Sequence, residues 1–122
     1  MTKNPETKHI YDLEERTFIF AKEVRVFVKS LPFSVANQED GKQLIRSSGS
    51  VGANYIEANE SLSKKDFIMR IKICRKEAKE SGYWLRLILN TNLLENNSKG
   101  EMLSDEAVQL KKIFHSIIQK SQ

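Results

Sequence analysis

The chain has 122 residues, of which 39% are apolar and 30% charged, and a formal net charge of +4. That is enough chain for one domain with its own core, and the balance is that of a helix-rich protein rather than a disordered one. No stretch is long and apolar enough to span a bilayer, and Met1 to Lys8 lacks the apolar centre of a signal peptide, so the expected location is the cytoplasm.

The whole chain, residues 1–122, reads as a single domain with flexible ends at about 1–11 and 119–122. Residues 1–11 show no clear period. Asp12 is placed to cap a first helix running to about Leu31, with Glu14 and Glu15 in the first turn, where the helix dipole favours acids. Its seam is Leu13, Thr17, Phe20, Val24, Phe27 and Leu31, in steps of four and three. Phe18, Ile19, Ala21, Val26 and Val28 spread apolar surface beyond that stripe, which predicts that this helix touches more than one neighbour. Pro32 ends it.

The segment from Phe33 to Asp40 is a connection, with Asn37 or Asp40 as the expected cap of a second helix that ends near Asn59 or Ser61. Its seam is Leu44, Ser48, Val51, Tyr55, Ala58 and Leu62. Ser47, Gly49, Gly52 and Ala53 lie beside that seam, and small residues there let another backbone come close. Each interior glycine costs roughly 1 kcal/mol of helix propensity relative to alanine, so close packing must offset it. Ser63, with Asp66 three residues on, then forms a cap resembling a capping box. A third helix of roughly 40 Å follows, ending near Asn90 to Leu94. Phe67, Ile71, Cys74, Ala78, Ser81, Leu85 and Ile88 form its seam.

Asn96 to Gly100 carries strong turn chemistry. Ser104-Asp105-Glu106 is expected to open a fourth helix with Ala107, Leu110, Phe114 and Ile117 on its seam and Val108, Ile113 and Ile118 beside it. No run alternates as a strand would. Four amphipathic segments with short polar connections predict an all-α fold, an up-down-up-down antiparallel four-helix bundle.

Catalytic and metal chemistry find no support in this pattern. Bundle di-metal sites use Glu-x-x-His pairs, whereas His9 lies in the irregular start and His115 has Lys112 three residues before it. Paired thiolate ligands are excluded by the single cysteine, Cys74, which sits on the core seam as an inert packing group. Gly49-Ser50-Val51-Gly52 lacks the Gly-Lys-Ser/Thr end and the preceding strand of a phosphate loop. We therefore expect no enzyme activity, no metal and no cofactor.

Three surfaces stand above background. Ser47, Ser50, Asn54, Glu57 and Ser61 form a polar stripe on the second helix, suited to an interhelical hydrogen-bond layer, to solvated surface or to a partner. On the third helix Lys64, Lys65, Lys72, Arg75, Lys76, Lys79 and Arg86 fall within an arc of roughly 120°. Such a row is either a solvated charged face or a phosphate-binding one, and Asp66, Glu77 and Glu80 lie beyond its edges. Met69, Ile73, Trp84 and Leu87 share the side of the same helix opposite its seam, an expected oligomer interface anchored by Trp84.

The pattern Gln43-Leu44-x-x-Ser47-x-x-Ser50-Val51-x-x-Asn54-x-x-Glu57-Ala58, followed by Ser63-Lys64-Lys65-Asp66-Phe67 and a long amphipathic helix, resembles the four-helix bundle family of proteins encoded in intervening sequences of bacterial 23S rRNA genes. The resemblance covers most of the chain. It implies a small bacterial cytoplasmic protein without catalytic activity that assembles as a ring-like homo-oligomer, a pentamer. A related branch, the accessory proteins of diversity-generating retroelements, is a basic pentamer that works with a reverse transcriptase and its RNA. By position, Ser47, Ser50, Asn54 and Glu57 correspond to the family's second-helix motif, and Ser63, Lys65, Asp66 and Phe67 to its cap. Gly49, Gly52 and Tyr55 depart from it, since many relatives place Ala, Pro and Ile-like residues nearby. The reading that follows is a non-enzymatic homo-oligomer that binds RNA or DNA through the third-helix bases. Its alternative is a protein-interaction or scaffold module without nucleic-acid binding.

Overall fold

The computed structural model describes the backbone of residues 5–94 and 97–122 and the side chains of 13–94 and 97–122. Its four helices are α1 (Pro5–Lys29), α2 (Val35–Asn59), α3 (Lys64–Thr91) and α4 (Ser98–Ser121), and no strand occurs among the described residues. Each helix packs on its neighbours in chain order, α1 on α2, α2 on α3 and α3 on α4, and α4 closes the ring against α1. This is the antiparallel four-helix bundle that four amphipathic segments with short connections dictate.

The seams meet at the centre. Leu13, Phe20, Val24 and Phe27 from α1, Leu44 and Val51 from α2, Ile71, Cys74, Ala78, Leu85 and Ile88 from α3, and Leu110 and Phe114 from α4 are all buried. Tyr55 packs its ring 6.0 Å from that of Phe114, linking α2 to α4 across the core. The predicted α2 seam fails at its last member: Leu62 lies beyond the end of the helix and is fully exposed.

At the end of α4 it is Ile118 that is buried and Ile117, expected on the seam, that is only partly covered; helix starts account for further differences from the sequence-based expectation. α1 begins at Pro5, and Asp12 lies within it rather than at its cap; proline is favoured at the first helical position because its missing N–H has no partner to lose. The cap of α2 is Ser34, whose hydroxyl accepts from the Asn37 N–H at 3.0 Å. Asn37 instead reaches out of the helix, exchanging amide hydrogen bonds with Asn92 at 2.8 and 2.9 Å and donating to the Pro32 carbonyl at 2.9 Å. Thus the α1–α2 connection is tied to the end of α3. Ser63 caps α3 as expected, accepting from the Asp66 N–H at 3.1 Å.

The largest shift is at α4, which starts at Ser98 rather than at Ser104. Ser98, Lys99 and Gly100 belong to the helix and not to a turn, while Asn96 of that expected loop lies outside the described residues. Gly100 carries no positive φ. A Cβ there would stand 2.6 Å from Leu89 Cδ2 and 3.0 Å from the Phe27 ring, so the glycine serves close packing of α4 on α1 and α3.

Gly52 does the same for α1 on α2. A Cβ at this position would lie 3.0 Å from Thr17 Oγ1 and 3.3 Å from Thr17 Cβ, so the pair sets how closely the two helices approach.

Candidate functional site

Arg46 decides where the acids of α3 point. It leaves α2 and donates from Nη1 to Glu77 Oε2 at 3.0 Å and from Nη2 to Glu80 Oε1. Glu77 is buried. Burial alone would push the Glu80 carboxyl up, but hydrogen bonds with its neighbours, among them the Trp84 indole N–H and Arg46, outweigh it and hold the pKa below the ordinary carboxylate value. Both carboxylates thus face α2. The opposite side of α3 keeps its bases.

On that side α3 and α4 enclose a furrow of about 590 Å³ lined by Lys72, Arg75, Lys76 and Lys79 from α3 and by Lys111, Lys112 and His115 from α4. Among the described residues no carboxylate lies within ion-pair distance of these bases. Arg75 Nη1 lies 2.9 Å from His115 Nδ1. A guanidinium can only donate, so Nδ1 accepts in this contact. The contact fixes the direction of Arg75.

The furrow continues along the same two helices. Lys79 and Lys111 also line a second stretch, about 410 Å³, with Tyr83, Arg86, Asn90 and Ser104 and a floor of Ala78, Gly82 and Ala107. Of the seven bases expected to act together, the structure gathers Lys72, Arg75, Lys76 and Lys79 in the first stretch and Arg86 in the second. Lys64 and Lys65 stand exposed at the start of α3 and line neither.

Lys111, Lys112 and His115 were not anticipated from sequence. Their signal was available: Lys111 and His115 are one helical turn apart beside the α4 seam, hence on one face. Finding them required knowing that this face of α4 borders the basic face of α3.

The polar stripe of α2 divides. Ser47 is fully buried and lies 2.8 Å from Ser81 of α3, hydroxyl to hydroxyl. Asn54 donates to the Ser50 carbonyl and hydroxyl at 2.9 Å and accepts from Arg70 Nη1 at 3.0 Å. These three positions form a polar layer between α2 and α3. Glu57 is exposed, and the Ser61 hydroxyl turns back to the Glu57 carbonyl.

Of the expected oligomer surface, Met69 is half exposed, while Ile73, Trp84 and Leu87 are partly covered. Trp84 packs in part on the core of its own chain and meets Tyr83 edge-on, the ring centroids 5.2 Å apart. Larger apolar exposure lies on α1, where Phe18 is 62% and Ile19 and Val26 are each 47% exposed, at positions whose excess apolar surface the sequence already displays.

Cys74 is fully buried, its thiol donating to the Val51 carbonyl at 3.4 Å, and burial pushes its pKa up to about 12. A thiol held protonated in this way is packing, as expected from the seam. Among the described residues no group of histidine, cysteine and carboxylate side chains is arranged to hold a metal ion, and no helix is long and apolar enough to cross a membrane.

Comparison with known proteins agrees with this architecture. A family model described as "23S rRNA-intervening sequence protein" matches residues 11–116. A crystal structure from Bacteroides thetaiotaomicron, described as a protein with unknown function from the S23 ribosomal protein family, is 30% identical over 87% of this chain and 97% of its own, with a TM-score of 0.75. No curated protein matches the chain.

Proposed function

The chain belongs to the 23S rRNA-intervening sequence protein family, and from that premise we propose that it is a non-enzymatic bacterial protein that binds RNA through phosphate contacts in the α3/α4 furrow. The observation that carries the reading is the two-sided row of Lys72, Arg75, Lys76, Lys79, Lys111 and Lys112, facing solvent without a carboxylate partner among the described residues. A row of bases that neutralises phosphates releases counterions and so binds in a salt-dependent way without reading sequence. Glu77 and Glu80 of α3 are held on the other side by Arg46, which leaves the furrow with one sign of charge and raises the local concentration of an anionic partner.

Self-association extends the proposal. Phe18, Ile19 and Val26 on α1, together with Met69, Ile73, Trp84 and Leu87 on α3, offer apolar surface to a second copy, and a ring would repeat the furrow and multiply weak contacts into avidity. A pentamer, the assembly that the family resemblance implies, is the state we propose in the cytoplasm.

Titration of labelled RNA at two salt concentrations, in a sample of measured mass, tests the reading. We expect micromolar or tighter binding that weakens steeply with salt and is lost in Arg75→Glu/Lys79→Glu with the mass unchanged. Binding that survives the double substitution would place the site elsewhere. Absence of binding at low salt would leave the scaffold alternative, a module whose bases only keep it in solution.

A further inference from the structure

We propose that the furrow takes a single strand of nucleic acid and that Tyr83 is the platform on which one of its unpaired bases stacks. This rests on the phosphate-binding reading above and adds to it the form of the ligand and the residue that selects it.

The two stretches of the furrow differ in character. Between Lys72 and Lys79 the lining is cationic, and its one ring, the His115 imidazole, is engaged by Arg75 through Nδ1; between Lys79 and Arg86 the bases thin out and Tyr83 enters the wall. Lys79 and Lys111 line both stretches, so a chain of phosphates can pass from one to the other without leaving the bases. From Lys72 to Arg86 the path is roughly 20 Å along the helix.

Tyr83 is 55% exposed and yet held in place. Its ring meets Trp84 at an interplanar angle of 74°, Trp84 Nε1 donates to Glu80 Oε1 at 3.4 Å, and Glu80 is bound by Arg46 of α2. That chain of contacts supports the ring from one side and leaves aromatic surface in the furrow. Opposite it the floor is small: Ala78, Gly82 and Ala107 leave room, and a Cβ at Gly82 would meet only Ala107 Cβ, at 3.7 Å.

A stacked base needs a free face. In a duplex the faces are occupied by neighbouring bases, and only phosphates and groove edges are on offer, for which a tyrosine ring beside a row of lysines has no use. In a single strand the backbone can follow Lys72, Lys76, Lys79 and Lys111 while one base turns onto Tyr83, the combination of cationic groove and aromatic platform by which single strands are held without sequence readout.

The test compares three labelled probes on the full chain: a single-stranded oligoadenylate of about 15 nucleotides, a blunt RNA duplex of the same length, and inorganic polyphosphate. We expect the strand to bind more tightly than the duplex, Tyr83→Ala to weaken the strand roughly tenfold while leaving polyphosphate unchanged, and Tyr83→Phe to behave as the wild type on all three. Circular dichroism of each variant controls for folding. A deoxyoligonucleotide arm reports whether the 2′-hydroxyl contributes.

Equal losses on strand and polyphosphate in Tyr83→Ala, no loss on the strand, or a duplex that binds as tightly as the strand would overturn the stacking role and leave the phosphate furrow standing. Strand binding that persists in Arg75→Glu/Lys79→Glu would overturn the furrow itself, a separate outcome.

Discussion

Ser47 of α2 and Ser81 of α3 place their hydroxyl oxygens 2.8 Å apart at the fully buried centre of the bundle. Ser81 also donates to the Glu77 carbonyl at 2.9 Å, so the shared hydrogen bond is donated by Ser47 and accepted by Ser81. Replacing Ser81 by alanine removes the acceptor and leaves Ser47 only the longer bond to the Leu44 carbonyl, 3.3 Å away. Each single alanine variant should cost about 1 kcal/mol, whereas the double variant should cost less than the sum, because two methyl groups leave no buried hydroxyl to satisfy. Urea unfolding of the four proteins measures the coupling; strict additivity would mean that the two hydroxyls do not depend on one another.

Gly49 and Gly52 should respond to alanine in opposite directions. Both gain about 1 kcal/mol of helix propensity. At Gly52 the new Cβ meets Thr17 at its Cβ as well as its Oγ1, and Thr17 is buried and bonded to the Glu14 carbonyl, so α1 must shift and overpacking outweighs the gain. At Gly49 it meets only Arg25 Nη2, 3.1 Å away, at the end of a long side chain that can turn aside. Gly49→Ala should therefore raise the unfolding midpoint and Gly52→Ala lower it. Equal shifts would mean that α1 is not held against Gly52.

These pairs show which parts of the molecule were legible in the chain. Phe20, Val24, Ile71, Leu85 and Phe114 are buried where a four-three spacing puts them, because helix period and apolar burial are both local properties of sequence. The start of α4 was not legible, since Asn and Gly near a helix end read as a turn, and the need for Gly100 arises only when Phe27 and Leu89 arrive from elsewhere in the chain. Leu62 fails for the reverse reason, its spacing being right while the helix had already ended. The basic face of α3 could be read from spacing, but not its completion by Lys111, Lys112 and His115, because one sequence does not say which faces of two helices adjoin.

The contact between α1 and α4 is narrow, and two ion pairs clasp it. Arg16 holds Glu106 through two hydrogen bonds of 2.7 Å, which raises the guanidinium pKa further, and Lys99 donates to Glu23, which lowers the pKa of that carboxyl. A lowered carboxylate pKa means stability present above its unfolded value, near 4.5, and lost as pH falls below it. Lys99→Ala should flatten the fall in stability below that value. Arg16→Ala should cost about 1 kcal/mol at neutral pH, the scale of a half-exposed bidentate pair. Thermal unfolding between pH 3 and pH 7 reads both, and an acid limb unchanged by Lys99→Ala would mean that Glu23 is not held by it in solution.

Cys74 offers a probe of the core from the alkaline side. Its thiol is pushed up to about 12 from an ordinary value of 9.0 by burial, so the folded state holds the proton where the unfolded chain releases it. The sign follows from that raised value: the contribution is complete below pH 9 and declines as pH climbs from there toward 12. Stability of the wild type should thus fall more steeply above pH 9 than that of Cys74→Ala, in which this group no longer titrates. At neutral pH the same burial should keep the thiol from a disulfide reagent until the bundle opens, so that the labelling rate rises with urea in step with unfolding. Rapid labelling in the absence of urea would mean that the α2–α3 seam at Val51 opens on its own, and it would remove the support that this seam gives to the Arg46 contacts between α2 and α3.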